Sequence, residues 1–83
     1  MWNSKARKIR AHAPTIEPGA TYEHLTERGT IELANVIELS TDALGIRHIR
    51  FTLSYRYRHK TAEAGERMLA IAAFSSRFSR RAE

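Results

Sequence analysis

The stretch that decides the fold is Gly45–Lys60, which reads GIRHIRFTLSYRYRHK. Apolar and aromatic residues occupy every second position, at Ile49, Phe51, Leu53, Tyr55 and Tyr57. Polar and basic residues fill the positions between them: His48, Arg50, Thr52, Ser54, Arg56 and Arg58. Because successive side chains of a strand point to opposite faces, this alternation predicts a long, half-buried strand with one apolar and one basic face.

The residues before this stretch supply a partner strand, Thr30–Ser40, with the sequence TIELANVIELS. Its β-branched content and the turn residues on both flanks favour a strand over a helix. The odd positions are expected to face the core: Ile31, Leu33, Ile37 and Leu39. Asn35 does not suit that face, and a bulge near Asn35–Ile37 would instead put Ala34 and Val36 inside.

A tight turn joins these two strands as neighbours. Asp42–Gly45 is typical of a type I turn closed by a glycine in the left-handed region. Suppose that Ser40 faces Ile46. Glu38 then lies opposite His48 and diagonal to Arg50, and further along the pair Glu32 lies diagonal to Arg56. The arginines of the basic face then have acidic neighbours on the partner strand.

The rest of the domain is predicted from weaker patterns. A first strand is expected at Thr21–Leu25, a loop at His59–Gly65, a short strand at Glu66–Ile71 and a helix at Ala72–Arg81. Phe74 and Phe78 lie one helical turn apart, so they form one stripe that is expected to be core. The expected core comprises Tyr22, Ile31, Leu33, Ile37, Leu39, Ile49, Phe51, Leu53, Tyr55, Leu69, Ile71, Phe74 and Phe78.

The chain is expected to contain one small domain of residues 20–83 behind a mobile basic tail of residues 1–19. The tail holds both prolines and few large apolar residues, a composition that does not build a core. The domain is predicted to be mostly β, an SH3-like barrel or a bent antiparallel sheet with a short C-terminal helix.

One longer pattern resembles a known group. Ala34 through Phe51 follow AxVxxLSxDxxGIxHIRF, and GERMLAIAAFSSRF follows from Gly65. This resembles a group of short, uncharacterised bacterial proteins with a small SH3-like β-barrel. The resemblance covers about residues 20–80 and implies that fold and a bacterial, cytoplasmic protein. It carries no catalytic residue to this chain, and the fold hosts many unrelated binding roles.

Several kinds of chemistry find no support in the sequence. The chain has no cysteine, which excludes disulfides and thiolate sites. Its four glycines are scattered rather than clustered in a phosphate-binding loop. His12, His24, His48 and His59 lack the short spacing of metal ligands. We therefore predict no catalytic, cofactor-binding or metal-binding residue, no membrane span and a cytoplasmic location.

The distribution of charge gives the leading hypothesis. The net charge is +5, and residues 1–16 and 46–60 carry cations with no acid among them. Such blocks attract polyanions, and arginine suits phosphate. We predict a non-catalytic module that binds nucleic acid, RNA before DNA, through phosphate contacts. The candidate residues are Lys5, Arg7, Lys8, Arg10, Arg56, Arg58 and Lys60.

Two alternatives remain open at this point. Glu32 and Glu38 could neutralise the basic face, which would make it ordinary solvated surface. Alternatively, the chain is a protein–protein interaction module that uses a sheet edge or the terminal helix.

Overall fold

A computed structural model describes residues 15–82, which form an antiparallel five-stranded sheet and one short helix. The elements in chain order are β1 (Thr21–Leu25), β2 (Ile31–Thr41), β3 (Arg47–Tyr57), β4 (Lys60–Ala70), α1 (Ile71–Arg77) and β5 (Arg80–Arg81). The order across the sheet is β4-β3-β2-β1-β5. Since β4 and β5 occupy its two ends and do not pair in the described part of the chain, the sheet is not closed. The prediction of a mostly β, bent sheet with a short C-terminal helix is confirmed.

The central pair, β2 and β3, is joined by the predicted turn. The Asp42 carboxylate accepts hydrogen bonds from the backbone N–H groups of Leu44 and Ile46, each at 2.9 Å. Gly45 adopts a φ of 84°, a left-handed conformation that glycine tolerates at little cost. The backbone N–H of Asp42 also donates to the Ile46 carbonyl, so these two residues close the loop.

This closure changes the predicted register. Ser40 lies opposite His48 rather than Ile46, and Glu38 lies directly opposite Arg50. The earlier pairing was wrong because it placed Ile46 in the strand, whereas Ile46 belongs to the five-residue loop that follows Thr41.

A bulge in β2 decides which of its side chains are buried. The register shifts between Val36 and Glu38, so Ile37 has no direct partner on β3. Before the bulge Ala34 and Val36 are buried, whereas Ile31 and Leu33 are only partly buried. The prediction that Ile31, Leu33 and Ile37 face the core was therefore wrong. The structure instead has the bulge that the sequence offered as the alternative.

The prediction that the alternating apolar residues of β3 face the core is confirmed for the central part of the strand. Ile49, Phe51 and Leu53 are buried, and Tyr55 is packed against the core from a partly buried position. The face that carries these residues is hereafter the inner face, and the face that carries Arg50, Thr52 and Arg56 is the outer face.

The third long strand, β4, replaces two predicted elements. Lys60–Ala70 pairs with β3 along its length, so the predicted loop at His59–Gly65 is mostly strand. Arg58 and His59 alone form the turn. The register shifts between the pairs Leu53–Gly65 and Ser54–Glu63, which leaves Ala64 as a second bulge.

Helix α1 covers the inner face with aromatic side chains. The ring of Phe74 lies 5.1 Å from that of Phe51 and 5.8 Å from that of Tyr22, both edge to face. Phe78 lies 4.9 Å from Phe74 and 5.5 Å from Phe51. Both Phe74 and Phe78 are buried, as predicted. The helix is shorter than predicted, because Phe78 ends it and Arg80–Arg81 pairs with β1.

The packed structure begins before Ala20. Ile16, which falls in the segment predicted as a mobile tail, is buried in the core. The Tyr22 hydroxyl accepts a hydrogen bond from the Glu17 backbone and donates one to the Thr15 carbonyl. Residues 15–19 are thus held against β1, and residues 1–14 of the predicted tail lie outside the described residues.

Candidate nucleic-acid interface

Three of the predicted site residues lie at one end of the β3–β4 hairpin. Arg56 is near the end of β3, Arg58 is in the turn and Lys60 begins β4. All three are exposed. We call Arg56, Arg58 and Lys60 the basic hairpin tip. The other four predicted residues, Lys5, Arg7, Lys8 and Arg10, lie outside the described residues.

The hairpin register distributes the tip over both faces of the sheet. Arg56 lies opposite Thr61, and Lys60 lies opposite Tyr57. Because direct partners share a face and neighbours in a strand alternate, Arg56 belongs to the outer face and Lys60 to the inner face. Arg56 and Lys60 therefore do not form one continuous patch on a single face of the sheet.

Arg58 occupies the turn rather than the strand. Its φ of 59° is left-handed, a region that non-glycine residues seldom occupy. Its guanidinium lies 5.2 Å from the centre of the Tyr57 ring, within the range of a cation–π contact. The contact places a cation and an exposed aromatic ring together at the tip.

Four arginines elsewhere in the described chain are held by carboxylates. Arg50 contacts both Glu38, at 3.3 Å, and Glu66, at 3.1 Å. Arg80 binds Glu23 at 2.6 Å, and Arg81 binds Glu17 at 2.8 Å. Arg77 binds Glu32 through two hydrogen bonds of 2.8 and 2.9 Å. Arg50 is thus paired on both sides, with Glu38 on β2 and Glu66 on β4.

The pairing of Glu32 differs from the expectation. Glu32 lies opposite Tyr55 on the inner face, and its carboxylate is nearly buried. Arg56 lies opposite Ile31 on the outer face. Glu32 therefore cannot neutralise Arg56, and its partner is Arg77 at the end of α1. Within residues 15–82, none of the three cations of the basic hairpin tip has a carboxylate within 4.0 Å.

Hydrogen bonds to carboxylates raise the pKa of two of the paired arginines, Arg50 and Arg77. The Glu66 and Glu38 carboxylates raise the pKa of Arg50, and the Glu32 carboxylate raises that of Arg77. Since arginine is protonated at any ordinary pH even without such partners, these hydrogen bonds fix the position of each guanidinium rather than its charge.

A second group of residues lies on the inner face beside the tip. Leu53, Tyr55 and Leu69 line a cleft of about 290 Å³ together with Arg67 and Arg77. Arg67 lies opposite Phe51, and its guanidinium donates to the backbone carbonyl of Glu66. We call Leu53, Tyr55, Arg67, Leu69 and Arg77 the inner-face cleft. Sequence reasoning missed Arg67 and Arg77, since the predicted strand at Glu66–Ile71 was shorter than β4 and no local pattern pairs Arg77 with Glu32.

Residues 15–82 contain neither a metal-binding cluster nor a helix that could span a membrane. No group of three or more His, Asp or Glu residues in this part of the chain is placed to hold a metal ion. Its helix is too short and too polar to cross a membrane.

Comparisons with known proteins identify no relative. No protein-family model matches the chain, and neither the search of curated proteins nor that of solved structures gives a significant match.

Proposed function

We propose that this chain is a small, non-catalytic module that binds RNA or DNA through phosphate contacts at the basic hairpin tip. The observation that supports the proposal is a cluster of unpaired cations. Arg50, Arg77, Arg80 and Arg81 each have a carboxylate partner, whereas Arg28, Arg47, Arg67 and the tip residues have none within 4.0 Å in the described chain. At the tip, three such cations lie within one hairpin end of five residues.

The chemistry of the tip suits phosphate. A guanidinium donates two parallel hydrogen bonds to phosphate oxygens, and an ammonium supplies a compact positive charge. The basic block of residues 1–16 adds four further cations to the net positive charge of the chain, which favours association with a polyanion. Binding of this kind is independent of base sequence and weakens as salt displaces the protein from the phosphates.

A salt titration of a labelled mixed-sequence oligonucleotide tests the proposal. Fluorescence anisotropy is measured with the full chain between about 50 and 200 mM salt, the range over which phosphate contacts are most evident. The affinity should fall linearly on logarithmic axes, with a slope of about −0.7 to −0.9 per phosphate contact. Absence of binding at the lowest salt would contradict the proposal.

Two double variants locate the contacts. Arg58→Gln with Lys60→Gln removes two cations that lack carboxylate partners, so the salt slope should shrink by about 1.4 to 1.8. Arg80→Gln with Arg81→Gln removes the same charge from residues already bound to Glu23 and Glu17. Equal effects of the two pairs on binding would show that the tip is not the contact surface.

The alternative function is a protein–protein interaction module that uses the edge of the sheet formed by β4. The observation that favours it is an eleven-residue edge strand with no second partner among the described residues. An added strand would bind there through main-chain hydrogen bonds, which survive high salt. Capture of a protein that persists at high salt, with no oligonucleotide binding, would favour this alternative. The helix is not available for the same role, since Phe74 and Phe78 are buried.

A further inference from the structure

Two tyrosines follow one another along the inner face at the uncovered end of β3. Tyr55 and Tyr57 are two residues apart, so their side chains share a face and are separated by about 7 Å along the strand. Tyr57 is 46% exposed and Tyr55 is partly buried. The hydrophobic core that α1 covers ends at Tyr55, and Tyr57 lies beyond it.

Cations lie at both ends of this pair of rings. Lys60 is directly opposite Tyr57, and the Arg58 guanidinium lies over the Tyr57 ring. At the other end, Arg67 lines the same cleft as Tyr55 and has no carboxylate within 4.0 Å in the described chain. The carboxylate of Glu32 also lines that cleft, but both of its oxygens accept hydrogen bonds from Arg77. The two tyrosine rings thus lie between cations, and the acid that lines the cleft is already paired. Such a surface complements a flexible polyanion that carries flat rings.

We infer that the ligand is a single-stranded nucleic acid, which lies along the inner face from the basic hairpin tip to the inner-face cleft. A base stacks on Tyr57 and its phosphate contacts Arg58 and Lys60, and the strand continues along the inner face until a phosphate further along contacts Arg67. Stacking on a protein ring requires a base that has left its own stack, which a single strand provides and a duplex does not. This inference rests on the proposed function and names its substrate class and binding face.

The test compares single strands with a duplex. The full chain is titrated with labelled RNA and DNA single strands of about 12 nucleotides, and with the corresponding blunt DNA duplex, at one low salt concentration. Wild type should prefer the single strands. Tyr57→Ala should weaken single-strand binding by about 5- to 150-fold and leave duplex binding unchanged. Tyr57→Phe retains the ring and should restore the wild-type affinity.

A matched pair of charge variants shows which face of the sheet binds the single strand. Lys60→Gln and Arg56→Gln each remove one cation from the same hairpin end, but from opposite faces of the sheet. Lys60→Gln should weaken single-strand binding more than Arg56→Gln. The thermal unfolding temperature of each variant, measured by circular dichroism, checks that the fold is retained.

The outcomes separate this inference from the proposed function. Equal affinity for single strand and duplex, with no effect of Tyr57→Ala, overturns the inference while phosphate binding at the tip stands. A greater effect of Arg56→Gln than of Lys60→Gln also overturns it. If no oligonucleotide binds at low salt, the proposed function and the inference fall together.

Discussion

Glu32 is an ionisable residue that lies in the interior, away from the solvent that a carboxylate prefers. It is the one charged residue in the described chain that is buried, and its side chain is only 9% exposed. Burial of a carboxylate is unfavourable unless hydrogen bonds and a counter-charge compensate it. Arg77 provides both, since its guanidinium donates one hydrogen bond to each carboxylate oxygen. The pair thereby attaches the end of α1 to β2.

Loss of this guanidinium should destabilise the fold. Arg77→Ala leaves a buried carboxylate without its partner, and we expect the free energy of unfolding to fall by about 1–3 kcal/mol. Urea unfolding followed by circular dichroism measures it. Arg81→Ala is the matched control, because it breaks an exposed ion pair with Glu17 and should change stability by less than about 1 kcal/mol. Equal losses in the two variants would contradict the role assigned to Arg77.

Asp42 is a second residue with a definable contribution. The backbone N–H of Ile46 contributes most to lowering the pKa of this carboxyl below its usual 3.8; desolvation opposes the shift, and the N–H of Leu44 and the nearby His48 lower the pKa further. A carboxyl whose pKa is lowered by folding stabilises the fold above its unfolded pKa and loses that contribution as pH falls. The β2–β3 loop is therefore most stable with Asp42 ionised.

The direction of this pKa shift predicts that the contribution of Asp42 to stability depends on pH. Asp42→Asn keeps the shape and one acceptor oxygen but has no charge. The unfolding temperature of the wild type should exceed that of the variant at neutral pH, and the gap should narrow as pH falls below about 4. Thermal melts across that range provide the measurement. Glu27→Gln, which alters an exposed acid with no ion pair in the described chain, should show no such narrowing.

At the scale of elements, the strongly alternating stretch was predictable and the bulged strands were not. Ile49, Phe51 and Leu53 are buried as the alternation predicts. In β2 the sequence offered two inward faces, and the larger side chains of Ile31 and Leu33 favoured the wrong one. Ala34 and Val36 are inside because the bulge at Ile37 bends the strand and allows Leu39 beyond it to pack inward as well.

The fourth strand could not be read from its own residues. Ala62, Ala64 and Gly65 have low strand propensity, so local sequence favoured a loop. Pairing with β3 overrides that preference along the whole of β4. The second bulge, at Ala64, lies beside Gly65, whose φ of 87° is left-handed.

Gly65 should therefore be sensitive to substitution for a conformational reason. A methyl group there would meet only ordinary van der Waals contact, 3.5 Å from the Arg67 guanidinium. The left-handed backbone is unfavourable for any residue with a Cβ, so Gly65→Ala should cost about 1–2 kcal/mol of stability. Denaturant titration measures it. Thr61→Ala, an exposed position of the same strand, should stay within about 0.5 kcal/mol of wild type.

At the scale of the molecule, the candidate site depended on contacts between distant parts of the chain. Glu32 and Arg77 are 45 residues apart in sequence, and no local pattern pairs them. The placement of Lys60 and Arg56 on opposite faces follows from a two-residue turn where the sequence suggested a longer loop. Residue types and their exposure at the hairpin tip were predictable, whereas their partners and faces required the tertiary structure.

The aromatic cluster beneath α1 should carry much of the stability of so small a domain. Phe74 is fully buried and contacts Tyr22, Phe51 and Phe78 edge to face or tilted. Phe74→Ala should cost about 3–5 kcal/mol, whereas a domain of this size has a total stability of roughly 4–10 kcal/mol. The unfolding temperature of the variant should thus fall by roughly 12–40 °C.

Thermal unfolding followed by circular dichroism measures this effect, with Leu44→Ala as the control because Leu44 is 85% exposed in the β2–β3 loop. A variant at Phe74 that melts like wild type would contradict the assigned core. The same melts should leave Tyr57→Ala and Lys60→Gln close to wild type, since both side chains are exposed and lie outside the aromatic cluster. That separation allows binding at the hairpin tip to be measured without loss of the fold.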